Sequence, residues 1–109
     1  MDISPLEHMR SLLSAKYLSP DVLRELTTLA YSQASNFSQY QWYFLLCNRI
    51  FLRLLSQEEP LAGDLEDAMQ DLAAAAIRGL EAVEIGRSGS VMQAANQMTM
   101  AFIAIESCN

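Results

Sequence analysis

With 109 residues, half of them apolar, the chain is long enough to bury one helical or mixed core without covalent staples and too hydrophobic for global disorder. Thirteen acids against seven Lys plus Arg give a formal charge of −6. That sign repels phosphate backbones and anionic membrane surfaces, and a single lysine, Lys16, offers no polybasic arm to override it, so nucleic acid is excluded as a partner.

The first ten residues, MDISPLEHMR, carry acids and a proline where a secretory leader needs a basic start and an apolar run. Within them Ser4-Pro5-Leu6-Glu7 places serine at a helix cap, proline at the first helical position and glutamate at the third. Leu6, Met9, Leu13 and Tyr17 then fall on one stripe, which predicts helix one over residues 5–17. Ser19-Pro20-Asp21 repeats the signal, and Val22, Leu26 and Leu29, with Leu23 and Ala30 beside them, carry helix two over residues 20–35.

Ser38-Gln39-Tyr40-Gln41 is a further Ser-x-x-Gln box, with Asn36 as a competing cap, and opens helix three over residues 39–57. The run over 39–55, QYQWYFLLCNRIFLRLL, is the most hydrophobic in the chain. A bilayer-spanning helix needs about 20 predominantly apolar residues. Asn48, Arg49 and Arg53 interrupt this one, each at a cost on the order of 2–3 kcal/mol at the bilayer centre, so membrane insertion is excluded.

Helix three instead divides into two faces. Tyr40, Tyr43, Phe44, Leu46, Cys47, Ile50, Phe51, Leu54 and Leu55 fill one sector and predict a core face. Gln41, Leu45, Asn48 and Leu52 line a second sector, with Trp42, Arg49 and Arg53 to the side. Either helix three is central and contacted nearly all round, or this second face binds another chain, with Gln41 and Asn48 fixing register and the arginines meeting acids of the partner. Tryptophan and arginine are enriched where binding energy concentrates.

Pro60 ends helix three, and residues 58–63 form the one plausible hinge, between two halves of a single domain spanning residues 1–109. Helix four follows over residues 63–85, with Leu65, Met69, Leu72, Ala76, Gly79 and Val83 as its seam and residues 73–76 small enough for close helix approach. Gly86-Arg87-Ser88-Gly89-Ser90 supplies a glycine cap and a Ser90-x-x-Gln93 box for helix five over residues 91–107. Val91, Ala94, Ala95, Met98, Phe102 and Ile105 make its stripe, with Met92, Met100 and Ile103 outside it. So short a connection predicts an antiparallel hairpin of helices four and five. No stretch alternates as a half-buried strand does. The fold class expected is all-α, a single compact bundle of four to five helices.

Chemistry-bearing residues are sparse. His8, the only histidine, lies off the apolar stripe of helix one with no nucleophile or metal-type spacing nearby, and reads as a surface residue rather than a general base. Cys47 and Cys108 belong to no metal-type spacing, and Cys47 reads as a small buried thiol. Asp64, Asp67 and Asp71 offer a metal alternative on helix four, since Asp67 and Asp71 are one turn apart; acids also favour a helix's first turn through its dipole. The pairs Asp64-x-x-Asp67 and Glu81-x-x-Glu84 are about 25 Å apart at 1.5 Å per residue and cannot share one ion within a monomer. The 86–90 segment lacks the strand and the Gly-Lys-Ser/Thr ending of a phosphate loop.

The expectation is therefore a non-catalytic cytoplasmic interaction module without a cofactor, an adaptor, regulator or small acidic chaperone whose partner is another protein. Homodimerisation through Gln41, Trp42, Leu45, Asn48, Arg49, Leu52 and Arg53 is its most direct form. The alternative is a metal-dependent enzyme or ligand-binding subunit built on the acidic face of helix four.

Overall fold

The computed structural model describes residues 4–15, 18–57 and 63–107, with side chains in the last segment from residue 66 onward. The expected all-α architecture is what forms. Helices α1 (Pro5–Leu13), α2 (Pro20–Asn36), α3 (Gln41–Leu55), α4 (Gly63–Ile85) and α5 (Ser88–Ser107) follow in order, with one 3-10 turn over Ser38–Tyr40 and no strand among the described residues.

The two Ser-Pro starts work as the sequence predicts. Ser4 Oγ accepts from the Glu7 N–H and Ser19 Oγ from the Val22 N–H, both at 3.2 Å, and each proline occupies the first turn, where its missing donor costs nothing. Helix α1 ends four residues earlier than its stripe suggests. Ser14 is its C-cap, with the hydroxyl donating to the Arg10 carbonyl at 2.8 Å. Tyr17, the last member of that expected stripe, lies outside the described residues.

The start of helix three also differs. The box at Ser38 does not cap α3. The Phe37 carbonyl accepts from the Tyr40 N–H at 2.9 Å, a 3-10 turn forms, and α3 begins at Gln41 without a side-chain cap. Phe37 stacks on Phe44 with ring centroids 5.5 Å apart, so aromatic packing sets the entry of the chain where a serine cap was expected.

By contacts the chain divides into two units, Met1–Gln57 and Glu58–Asn109. In the first, α2 packs on both α1 and α3. Asn48 of α3 and Thr27 of α2 meet at comparable distances from the 37–40 connection, the mark of an antiparallel pair. Leu6, Met9, Leu13, Leu23, Leu26, Ala30, Tyr43, Phe44, Cys47, Ile50, Phe51 and Leu54 are buried. Each large one contributes roughly 1.5–3 kcal/mol by leaving water.

The second unit contains α4 packed along α5. Gly86 adopts φ +70° and closes a Schellman turn, with its own N–H on the Val83 carbonyl at 3.2 Å and the Arg87 N–H on the Ala82 carbonyl at 3.0 Å. That reversal leaves Arg87 already leading into α5, whose first bond runs from the Val91 N–H to the Arg87 carbonyl. Helix α5 therefore starts at Ser88, ahead of the expected box, and Ser90 lies inside its first turn. Leu72, Ala75, Ala76, Leu80 and Val83 of α4 and Val91, Ala94, Ala95, Met98 and Ile105 of α5 are buried, while Phe102, expected with them, is half-buried. No helix among the described residues is long and apolar enough to cross a membrane.

Candidate functional site: an interaction face on α3

Most of the expected core face of α3 forms, with Leu46 and Leu55 only half-buried at its edge, and its second face keeps large exposed side chains. Trp42, Leu45 and Leu52 keep 41%, 42% and 48% of their surface accessible, and Gln41, Arg49 and Arg53 are exposed beside them. Within its own unit, Met1–Gln57, helix α3 is therefore not contacted all round. The reason is geometric: with an apolar sector this wide, a helix packed on one side leaves its far residues in water.

Asn48 belongs to the same line but has a partner within its unit. Its Nδ2 donates to the Thr27 carbonyl of α2 at 2.9 Å, which ties the two helices side by side. A side chain expected to fix register with another chain thus fixes the register of α3 on α2. Trp42 meets the edge of Tyr43, centroids 6.2 Å apart, and Tyr43 packs on Phe44 at 5.4 Å, so the exposed indole continues an aromatic cluster reaching into the core.

Directly behind this face lies a buried polar pair. Tyr43 and Cys47, one turn apart on α3, hydrogen-bond to each other in a site from which water is excluded. Burial pushes the Cys47 thiol up to about 12, against the opposing pull of the Tyr43 hydrogen bond and the backbone. Burial, and then the neighbouring thiol, raise the Tyr43 phenol well above its ordinary value. Cys47 is a free, buried cysteine. A thiol so held is a packing element rather than a nucleophile.

The other residues weighed for chemistry do not converge. His8 Nε2 meets Glu25 Oε1 at 2.9 Å on the exposed seam between α1 and α2, an inter-helix contact. Asp67 and Asp71 are exposed on α4, and the Asp64 side chain lies outside the described residues. Among the described residues, no three His, Cys, Asp or Glu side chains come together in a metal-binding group.

A second surface escaped the one-dimensional reading. Between α4 and α5 runs an open groove of about 500 Å³ lined by Asp71, Ala74, Arg78, Asn96, Gln97, Met100, Ala101 and Ala104. Arg78 reaches across it to Gln97 at 2.6 Å. Met92, Met100 and Ile103 of α5 are each more than half exposed, as their place outside the core stripe suggests. The signal present in the sequence was Ala101 and Ala104 next to Met100; its pairing with Asp71 and Ala74, some 30 residues away, is a product of the hairpin.

The two units also differ in charge. Met1–Gln57 holds five Lys or Arg against four acids, whereas Glu58–Asn109 holds two against nine. Helix α3 has two arginines and no acid, and α4 carries most of the surplus acids.

Fold and surfaces together define an all-α protein with apolar faces open to water. No protein-family model, curated protein or solved structure matches this chain.

Proposed function

We propose that this protein is a non-catalytic helical interaction module of the cytoplasm, an adaptor, regulator or small acidic chaperone, that self-associates through the open face of α3. The observation carrying this reading is the line of Trp42, Leu45 and Leu52, each over two-fifths accessible, flanked by Arg49 and Arg53. Three large apolar side chains on one helix face are a poor use of surface in water, at roughly 25 cal/mol per Å² of apolar area left exposed. A tryptophan with arginines at its side is the composition of an interface centre.

Light scattering across a dilution series tests it. The wild type should rise from one chain mass, 12.2 kDa, to at least twice that at high concentration. Trp42, the only tryptophan, should shift its emission to shorter wavelength in step. Leu45→Glu with Leu52→Glu should hold the protein at one chain mass with an unchanged far-UV spectrum, since both sites are exposed. A wild type that stays at one chain mass throughout overturns self-association.

A further inference from the structure

The self-association reading leaves open what the α3 face meets on the second copy. The simplest arrangement, α3 against α3 about a two-fold axis, fits its apolar residues and not its charges. Such a pairing brings two copies of Arg49 into one interface, and the helix Gln41–Leu55 has no acid to set against them.

The complementary surface exists elsewhere on the chain. The α4–α5 groove is lined by three alanines, which let an incoming helix approach closely, and by Met100, an adaptable apolar contact. Asp71 lines it too, on a helix whose exposed residues include Glu66, Asp67 and Glu81. The lining also holds one cation, Arg78, which bonds to Gln97 across the groove and must swing aside for an incoming helix. The acidic excess therefore comes from the other exposed acids of α4. At 1.5 Å per residue the 15 residues of α3 span roughly 22 Å, and α4 and α5, at 23 and 20 residues, are both longer.

We propose that the occupant of the α4–α5 groove is α3 of a second copy, with Trp42, Leu45 and Leu52 seated along the alanines and Met100, and Arg49 and Arg53 toward the acids of α4. The contact is heterologous. Each copy presents one face and receives one, so association continues past two chains unless the rotation between copies closes a ring. This inference rests on the self-association reading, and its test separates the two.

Two variants of the full chain are made, one with Leu45→Glu and Leu52→Glu on α3, the other with Met100→Glu and Ala104→Glu in the groove; all four sites are exposed. Matching far-UV spectra and thermal midpoints within a few degrees of wild type establish that both fold. Each alone should stay at one chain mass at concentrations where the wild type associates. Mixed in equal amounts they should form a complex of two chains and no larger, because the intact α3 of one fits the intact groove of the other and both remaining faces are blocked. Only the groove variant retains a native α3 face, so its Trp42 should shift to shorter wavelength on mixing.

A groove variant that associates as the wild type does, while the α3 variant does not, overturns the groove and assigns α3–α3 pairing. A mixture that stays at one chain mass under conditions where the wild type associates overturns it as well. A wild type that never associates overturns the self-association reading itself, and this inference with it.

Discussion

Cys47 and Tyr43 illustrate how little a residue's identity says before its surroundings are known. A cysteine one turn from a tyrosine on an exposed helix is a candidate for oxidation; here both are buried and the thiol is pushed up to about 12. In a Cys108→Ser background, Cys47 should therefore resist a thiol reagent at pH 8 until denaturant is added, and rapid labelling of the native protein would contradict its burial. The same shift makes stability pH-dependent in a definite direction. The unfolded thiol ionises near its ordinary value of 9.0 while the folded one keeps its proton, so stability present below pH 9 is lost as pH rises toward 12. Between pH 8 and pH 10 the wild type should therefore lose more stability than Cys47→Ala does, and urea titrations of both proteins at the two pH values measure the difference. Asn48 makes a parallel point. Its place in line with Leu45 and Leu52 was legible, but its bond to the Thr27 carbonyl was not, because no sequence spacing encodes a partner 21 residues away.

Among the elements, the two helix starts built on Ser-Pro were read correctly because the whole capping device is local: hydroxyl, proline and first-turn N–H lie within four residues. The starts of α3 and α5 were displaced because other features outcompeted the serines, the Phe37–Phe44 stack in one case and the local Gly86 turn, which already leads Arg87 into α5, in the other. That turn yields a matched pair of predictions. A Cβ at Gly86 meets nothing within 4 Å, so Gly86→Ala suffers from its positive φ alone and should destabilise by about 1 kcal/mol. Gly89, in the first turn of α5, also has open space around it and no positive φ. Gly89→Ala should stabilise by roughly 0.4–1 kcal/mol through the entropy of the unfolded chain. Chemical denaturation of the two single variants checks the opposite signs.

At the level of the whole molecule, the net charge of −6 conceals an uneven distribution, near balance in the first 57 residues and strongly acidic beyond them. Total charge argues against polyanions as partners, and the uneven distribution along the chain is what the proposed contact between unlike faces of two copies draws on. With a sequence isoelectric point of about 4.5, mutual repulsion between copies disappears near that pH, so solubility should pass through a minimum there. Turbidity between pH 3.5 and 8 measures this, and a flat profile would show that net charge does not govern solubility. The contacts divide the chain between Gln57 and Glu58, next to the segment over residues 58–63 where Pro60 interrupts the helical pattern of the sequence; residues 58–62 themselves lie outside the described residues.

The sequence by itself determined that this chain is helical, where nearly every helix lies, and for most of them which face turns inward, because periodicity, caps and proline act over one or two turns; on α2 the expected Val22 and Leu29 are only half-buried, and Leu23, Leu26, Ala30 and Ala34 form the buried face. It also showed that α3 has more apolar surface than one core face needs. Only the tertiary structure decided that Trp42, Leu45 and Leu52 remain open to water, that Asn48 belongs to the α2 contact, and that Asp71, Ala74, Met100 and Ala104 line one groove. Accessibility and cross-helix proximity depend on what packs against a surface, and that is fixed by contacts between residues far apart along the chain.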